Sequence, residues 1–70
     1  MNDTDIFFQL AMPADEAMAF AQLLKRLGYS DCERLADRKA FYGLRAECDV
    51  MWSSVQSVQR QFALAGFAPR

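Results

Sequence analysis

Residues 38–65 read RKAFYGLRAECDVMWSSVQSVQRQFALA. Phe41, Leu44, Cys48, Met51, Val55, Val58, Phe62 and Ala65 recur in alternating steps of three and four. That spacing lays one apolar seam along a helix, and no strand produces it. No proline falls between Pro13 and Pro69. The pattern predicts one continuous helix 3 over about 38–65, roughly 40 Å long at 1.5 Å per residue. A rod of that length in a chain of 70 residues obliges the rest to fold back along it. A break near Gly43 or Ser53, or sheet in this half, would change both the architecture and the surfaces read from it.

Upstream, Ile6, Phe8, Leu10 and Met12 alternate with Phe7, Gln9 and Ala11, the period of a strand. An N-terminal β-strand is therefore expected over 6–12. With no second strand downstream, its N–H and C=O groups need a partner. The expected one is the same segment of a second copy, through Ile6, Phe7, Phe8, Gln9 and Leu10. An extended arm lying on the helices is the alternative, and the start of the polar segment 1–5 is expected to be loose.

Pro13-Ala14-Asp15-Glu16 opens helix 1, about 14–27, with acids at its positive end. Ala17, Phe20, Ala21, Leu24 and Leu27 form its buried stripe. Gly28 is the expected left-handed cap, with Tyr29 folding onto Leu24. Ser30 and Glu33 have capping-box spacing, which sets a short helix 2 at about 31–36 with Leu35 inward. Asp37 then caps helix 3. Gly66 ends it, Phe67 folds onto Phe62, and Pro69 is the stop. The fold class is mainly α (α+β), one small domain over 1–70.

Hydrophobic residues make up 53% of the chain, which places it among folded and not disordered sequences. A core of this size supplies only about 3–5 kcal/mol, so a staple or a second subunit is expected. Cys32 and Cys48 are the only cysteines. Without a secretory signal they read as reduced, which leaves self-association as the source of extra burial and a cytoplasmic location as the expectation. No apolar run reaches the length of a membrane span.

Histidine is absent, which removes the commonest acid/base, the commonest zinc ligand and the Ser-His and Cys-His nucleophiles. Gly28, Gly43 and Gly66 form no phosphate loop. Asp15/Glu16 and Glu47/Asp49 point apart on a helix. No catalytic residue, metal site or cofactor is assigned, and the chain is read as non-enzymatic.

Charge is divided. Residues 1–37 carry seven acids and three bases; residues 38–70 carry two acids and five bases. Such a split favours packing of the halves on each other, or a partner that meets one half. The order strand-helix-helix invites a ribbon-helix-helix reading, a DNA-binding dimer with paired strands in the major groove. The strand has no Arg or Lys, and Asp3 and Asp5 precede it, so that ribbon is poorly built for phosphates. Protein contact fits better. Tyr42, Arg45 and Trp52 are of the usual anchor types, although Trp52 also suits a widened core stripe. Gly43, Ala46, Val50, Ser53, Ser57 and Leu64 form an uncharged second face of helix 3, either a contact face or a plain surface.

Ala21 to Asp31 (AQLLKRLGYSD) and Ala63 to Arg70 (ALAGFAPR) resemble a small family carried on prophages, plasmids and integrative elements of proteobacteria. The likeness covers most of 15–70. It departs where Arg38 and Lys39 follow Asp37, since the family has an acidic run there. The resemblance implies a bacterial cytoplasm and a mobile element. Small proteins of that setting often block a host complex, as anti-CRISPR proteins do. The expectation is an inhibitor that binds a type I CRISPR effector subunit and stops target DNA binding. Asp15, Glu16, Asp31, Glu33 and Asp37 would stand in for phosphates on a basic groove. A DNA-binding regulator, or an accessory dimer of the element, is the alternative.

Overall fold

A computed structural model describes residues 5–67. The order is α1 (Ala14–Arg26), α2 (Tyr29–Leu35), β1 (Phe41–Tyr42), β2 (Arg45–Ala46) and α3 (Glu47–Leu64). The fold is mainly helical, with a two-stranded antiparallel hairpin and a long C-terminal helix. The expected loose start at 1–4 and the stop at Pro69 lie outside the described residues.

α1 follows its sequence closely. Pro13 precedes it, Asp15 and Glu16 occupy its first turn, and Lys25 and Arg26 its last. All five stripe residues turn inward: Ala21 and Leu24 are buried, while Ala17, Phe20 and Leu27 are half-buried. The end of α3 is also as expected. Gly66 takes φ +79°, its N–H donates to Ala63 O at 3.0 Å, and Phe67 N–H donates to Phe62 O at 2.8 Å. This pair of bonds closes the helix in a Schellman motif. The Phe67 and Phe62 rings lie 6.2 Å apart.

Three local expectations are corrected. First, Gly28 has an ordinary extended backbone (φ −118°, ψ 174°) and caps the start of α2 instead of the end of α1. Its N–H donates to Asp31 Oδ2 at 2.8 Å. Asp31 thus fills the role assigned to Glu33, and α2 starts two residues before its expected position. The earlier start places Tyr29 on the helix, where its hydroxyl reaches α3. Leu35 is 63% exposed, and Cys32 and Ala36 face inward in its place.

Second, the segment 6–12 forms no strand within the single chain. Residues 6–11 are exposed, and among the described residues no backbone hydrogen bond fixes 5–12. A strand without a neighbour has no ladder to hold it.

Third, helix 3 begins at Glu47 and not near Arg38. Residues 38–46 hold a turn and the hairpin, with Phe41 opposite Ala46 and Tyr42 opposite Arg45. Gly43 has φ +68°, and among the described residues no non-glycine has positive φ. Glycine first in a two-residue loop is the pattern of a type II′ turn, whose twist suits paired strands. Glycine in a helix costs about 1 kcal/mol against alanine, while Phe and Tyr favour strands. The seam holds from Cys48 to Phe62, where each member is half-buried, but Phe41 is 61% and Leu44 100% exposed. Gly43 and Ala46 likewise leave the second helix face for the hairpin.

α3 packs on both upstream helices. Phe20 meets Phe62 edge to face, with centroids 5.6 Å apart. Gln59 Nε2 donates to Leu24 O at 2.8 Å, satisfying one of the carbonyls left open at the end of α1. The core is thin: among the described residues only Ala21, Leu24 and Cys32 are buried. A compact 8.0 kDa chain exposes about 4,500 Å², and this one exposes 5926 Å².

Replacing Gly43 by alanine separates the two accounts of residues 38–46 by sign. A hairpin with φ +68° predicts a loss of about 1 kcal/mol in urea unfolding; a continuous helix predicts a gain of about the same size. Nothing lies within 4 Å of an added methyl group, so the measurement reads backbone conformation alone. A double-mutant cycle on Phe20→Leu and Phe62→Leu should give a coupling of about 1 kcal/mol.

Candidate interaction surface

The hairpin is held by the first residue of α3. Glu47 Oε1 accepts the Asp37 N–H at 2.9 Å, and Glu47 Oε2 accepts the Tyr42 hydroxyl at 3.0 Å. The Glu47 N–H donates to Ala40 O at 3.1 Å. One residue therefore ties the first arm of the hairpin and the segment leading into it to the helix start, where a carboxylate also meets the positive end of the dipole. Its bond with Glu47 raises the Tyr42 pKa above the usual 10.0. On the other arm, Arg45 Nη2 donates to Ser53 Oγ at 2.6 Å, two turns along α3, and to Asp49 O at 3.4 Å.

A second tie joins α2 to α3. The Tyr29 hydroxyl donates to Asp49 Oδ1 at 2.6 Å and lies 3.5 Å from Cys48 Sγ. Donation to Asp49, and then the contact with Cys48, holds the Tyr29 phenol well above its ordinary value of 10.0. Cys32 and Cys48 are both free thiols.

These ties present an apolar tip: Phe41 and Tyr42 are 61% and 57% exposed beside the bare Leu44. Arg38, Lys39 and Arg45 flank it, all exposed, and no acid occurs between Asp37 and Glu47. The spacing of Phe41 and Leu44 places them on the core seam, whereas the fold exposes both. The signal that could have shown this is Gly43 between aromatic and branched residues.

The other expected partner residues lie on α1, α2, α3 and the turn after α2. Asp15 and Glu16 are exposed on the first turn of α1, and Asp15 Oδ1 accepts the Glu16 N–H at 2.8 Å. Asp31 is engaged twice, by Gly28 N–H and by Arg34 at 3.1 Å. Those two bonds, the first chiefly, hold its carboxyl below 3.8. Asp37 Oδ1 accepts the Lys39 N–H at 2.9 Å instead of capping α3. Glu33 is exposed at the rim of a hollow of about 260 Å³ between the end of α2 and the start of α3. Ligand pockets run to about 300–1,000 Å³. Trp52 is half-buried on α3. No hydrogen bond or ion pair among the described residues links Asp15 or Glu16 to Asp31, Glu33 or Asp37. Ile6, Phe7, Phe8 and Leu10 are between 62% and 84% exposed, and Gln9 is exposed beside them. Among the described residues no group of three His, Cys, Asp or Glu could hold a metal ion. No helix among them is long and apolar enough to cross a membrane.

The chain belongs to a family of unknown function (DUF7706), whose model matches residues 1–70. No curated protein and no solved structure matches it.

Glu47→Ala should loosen the hairpin while leaving α3 helical, so amides of residues 40–46 should exchange about tenfold faster with little change in far-UV dichroism. Asp31→Asn should be less stable than the parent at neutral pH. Because the folded-state pKa of Asp31 is depressed, its contribution is present above about 3.8 and is lost as pH falls through the lower folded value. The gap between variant and parent should therefore close in acid, as pH-dependent urea unfolding would register.

Proposed function

We propose that this chain is a non-enzymatic, protein-binding inhibitor encoded by a mobile element, acting in the bacterial cytoplasm on a type I CRISPR effector subunit to prevent target DNA binding. The observation that carries the protein-binding part is the hairpin tip. Phe41, Tyr42 and Leu44 stand exposed on a loop pinned by Glu47 and Arg45. A contact element pinned before binding loses less freedom when it docks. Aromatic residues and Arg are the usual sources of interface energy. The flanking Arg38, Lys39 and Arg45 fit an apolar pocket rimmed by acids on the partner. The mobile element and the effector rest on the resemblance to proteins of prophages and plasmids.

Docking through the hairpin is the mode of contact favoured here over phosphate mimicry, because Asp31 and Asp37 are already engaged by the chain's own backbone N–H groups. The DNA-regulator reading gains nothing from the arm, which offers Asp5 and no cation before Lys25.

The test uses a purified type I effector complex and labelled target duplex. Adding the chain should abolish duplex binding, and Leu44→Asp should weaken that effect at least about tenfold, equivalent to roughly 1.4 kcal/mol of binding. Leu44 contributes no burial to the single chain, so the variant keeps its fold. Unimpaired duplex binding, with no effector subunit retained by the immobilised chain, would remove the proposal. A shift of duplex DNA by the chain alone, falling steeply with salt, would establish a regulator instead.

A further inference from the structure

The strongest unexplained feature is the segment Ile6-Phe7-Phe8-Gln9-Leu10. It stands before α1 with four apolar side chains at least 62% exposed and no backbone bonds to the described remainder. A protein surface seldom leaves such a run in water, and an unpaired strand-forming segment is a template for another chain. We infer that residues 6–10 pair antiparallel with the same residues of a second copy about a two-fold axis at Phe8. This rests on the arm alone and is independent of the hairpin reading above.

Three features favour a second copy over a different protein. An isologous contact requires a patch complementary to itself. About Phe8 the sequence is nearly symmetric in shape: Ile6 meets Leu10, Phe7 meets Gln9, and Phe8 meets its own copy. Cross-strand aromatic and aliphatic pairs of this kind stabilise a ribbon. Charge permits it too. No charged residue lies between Asp5 and Asp15, and in this register Asp5 faces Ala11, so no like charges oppose each other. Pro13, which has no N–H, ends the pairing before α1.

Each aromatic side chain brings about 150–250 Å², so the four apolar residues expose roughly 500 Å² per chain. Two copies reach about 1,000 Å², the lower bound of a specific interface, only when the ribbon's faces are covered as well as its edge. A two-stranded ribbon alone is marginal in water. Ile6, Phe8 and Leu10 of both copies share one face, and that face needs an apolar floor. α1 follows immediately and leaves Met18 and Leu23 exposed at 44% and 53%.

Light scattering of the full chain should give twice 8.0 kDa. Phe8→Asp puts two carboxylates opposite each other on the axis, and should raise the dimer dissociation constant by about tenfold or more with unchanged far-UV dichroism. Leu44→Asp should remain dimeric. Phe8→Cys should cross-link two chains under a mild oxidant, because opposed residues of an antiparallel pair sit about 4.5–5.5 Å apart at Cα, within disulfide reach. The comparison is made in a Cys48→Ser background, whose remaining thiol, Cys32, is buried and should not cross-link without Phe8→Cys. A monomeric parent, a dimer indifferent to Phe8→Asp, or an uncross-linked Phe8→Cys chain would each overturn the inference. A dimer broken by Leu44→Asp alone would assign self-association to the hairpin.

Discussion

The Glu47 carboxylate fixes the point at which the chain stops being a hairpin and becomes a helix. Both of its oxygens are taken, one by the Asp37 amide and one by the Tyr42 hydroxyl. Its own N–H closes onto Ala40. Without that clasp the residues from Asp37 to Ala46 would hang from a two-strand ladder of two residues per strand, too short to stand alone. With it, the loop becomes an extension of α3, and the exposed positions of Phe41, Tyr42 and Leu44 become fixed ones. Arg45, reaching along α3 to Ser53, repeats the arrangement from the other strand.

Length matching explains why α3 starts where it does. At 1.5 Å per residue, α1 and α2 span about 20 and 10 Å, and α3 about 27 Å. The long helix is thus nearly as long as the two helices available to cover it. A rod from Arg38 would overhang by about 10 Å, with Phe41 and Leu44 on a free end. Helix stability in a protein comes mostly from packing one face, so an overhang has little to hold it. Folding 38–46 back as a hairpin lets the polar groups of the segment bond to α3 even though its apolar side chains stay wet.

Legibility in the sequence follows the same division. Where local signals and tertiary packing agreed, the residues could be read directly: the stripe Ala17, Phe20, Ala21, Leu24 and Leu27, and the Gly66–Phe67 closure on Phe62. Where two local signals competed, spacing could not choose. Ser30–Glu33 and Gly28–Asp31 have the same three-residue interval, and the second prevails because it puts Tyr29 within reach of Asp49. At Gly43 the three-four periodicity ran on through a residue whose positive φ only the fold reveals. Two further members of the pattern, Phe41 and Leu44, continued it by coincidence. The surface of interest was hidden for that reason, since its residues had been counted as core.

The thin core and the bare surface have one cause. With three buried residues among those described, and a radius of gyration of 13.6 Å against about 11 Å for a compact chain of this length, the molecule is broad and flat. It measures 37 by 30 by 16 Å. With so few residues to either side of it, α3 keeps every seam residue from Cys48 to Phe62 half-buried and none fully buried. The described residues hold no further helix to cover α3, and the exposed apolar residues at the edges are where another layer could attach.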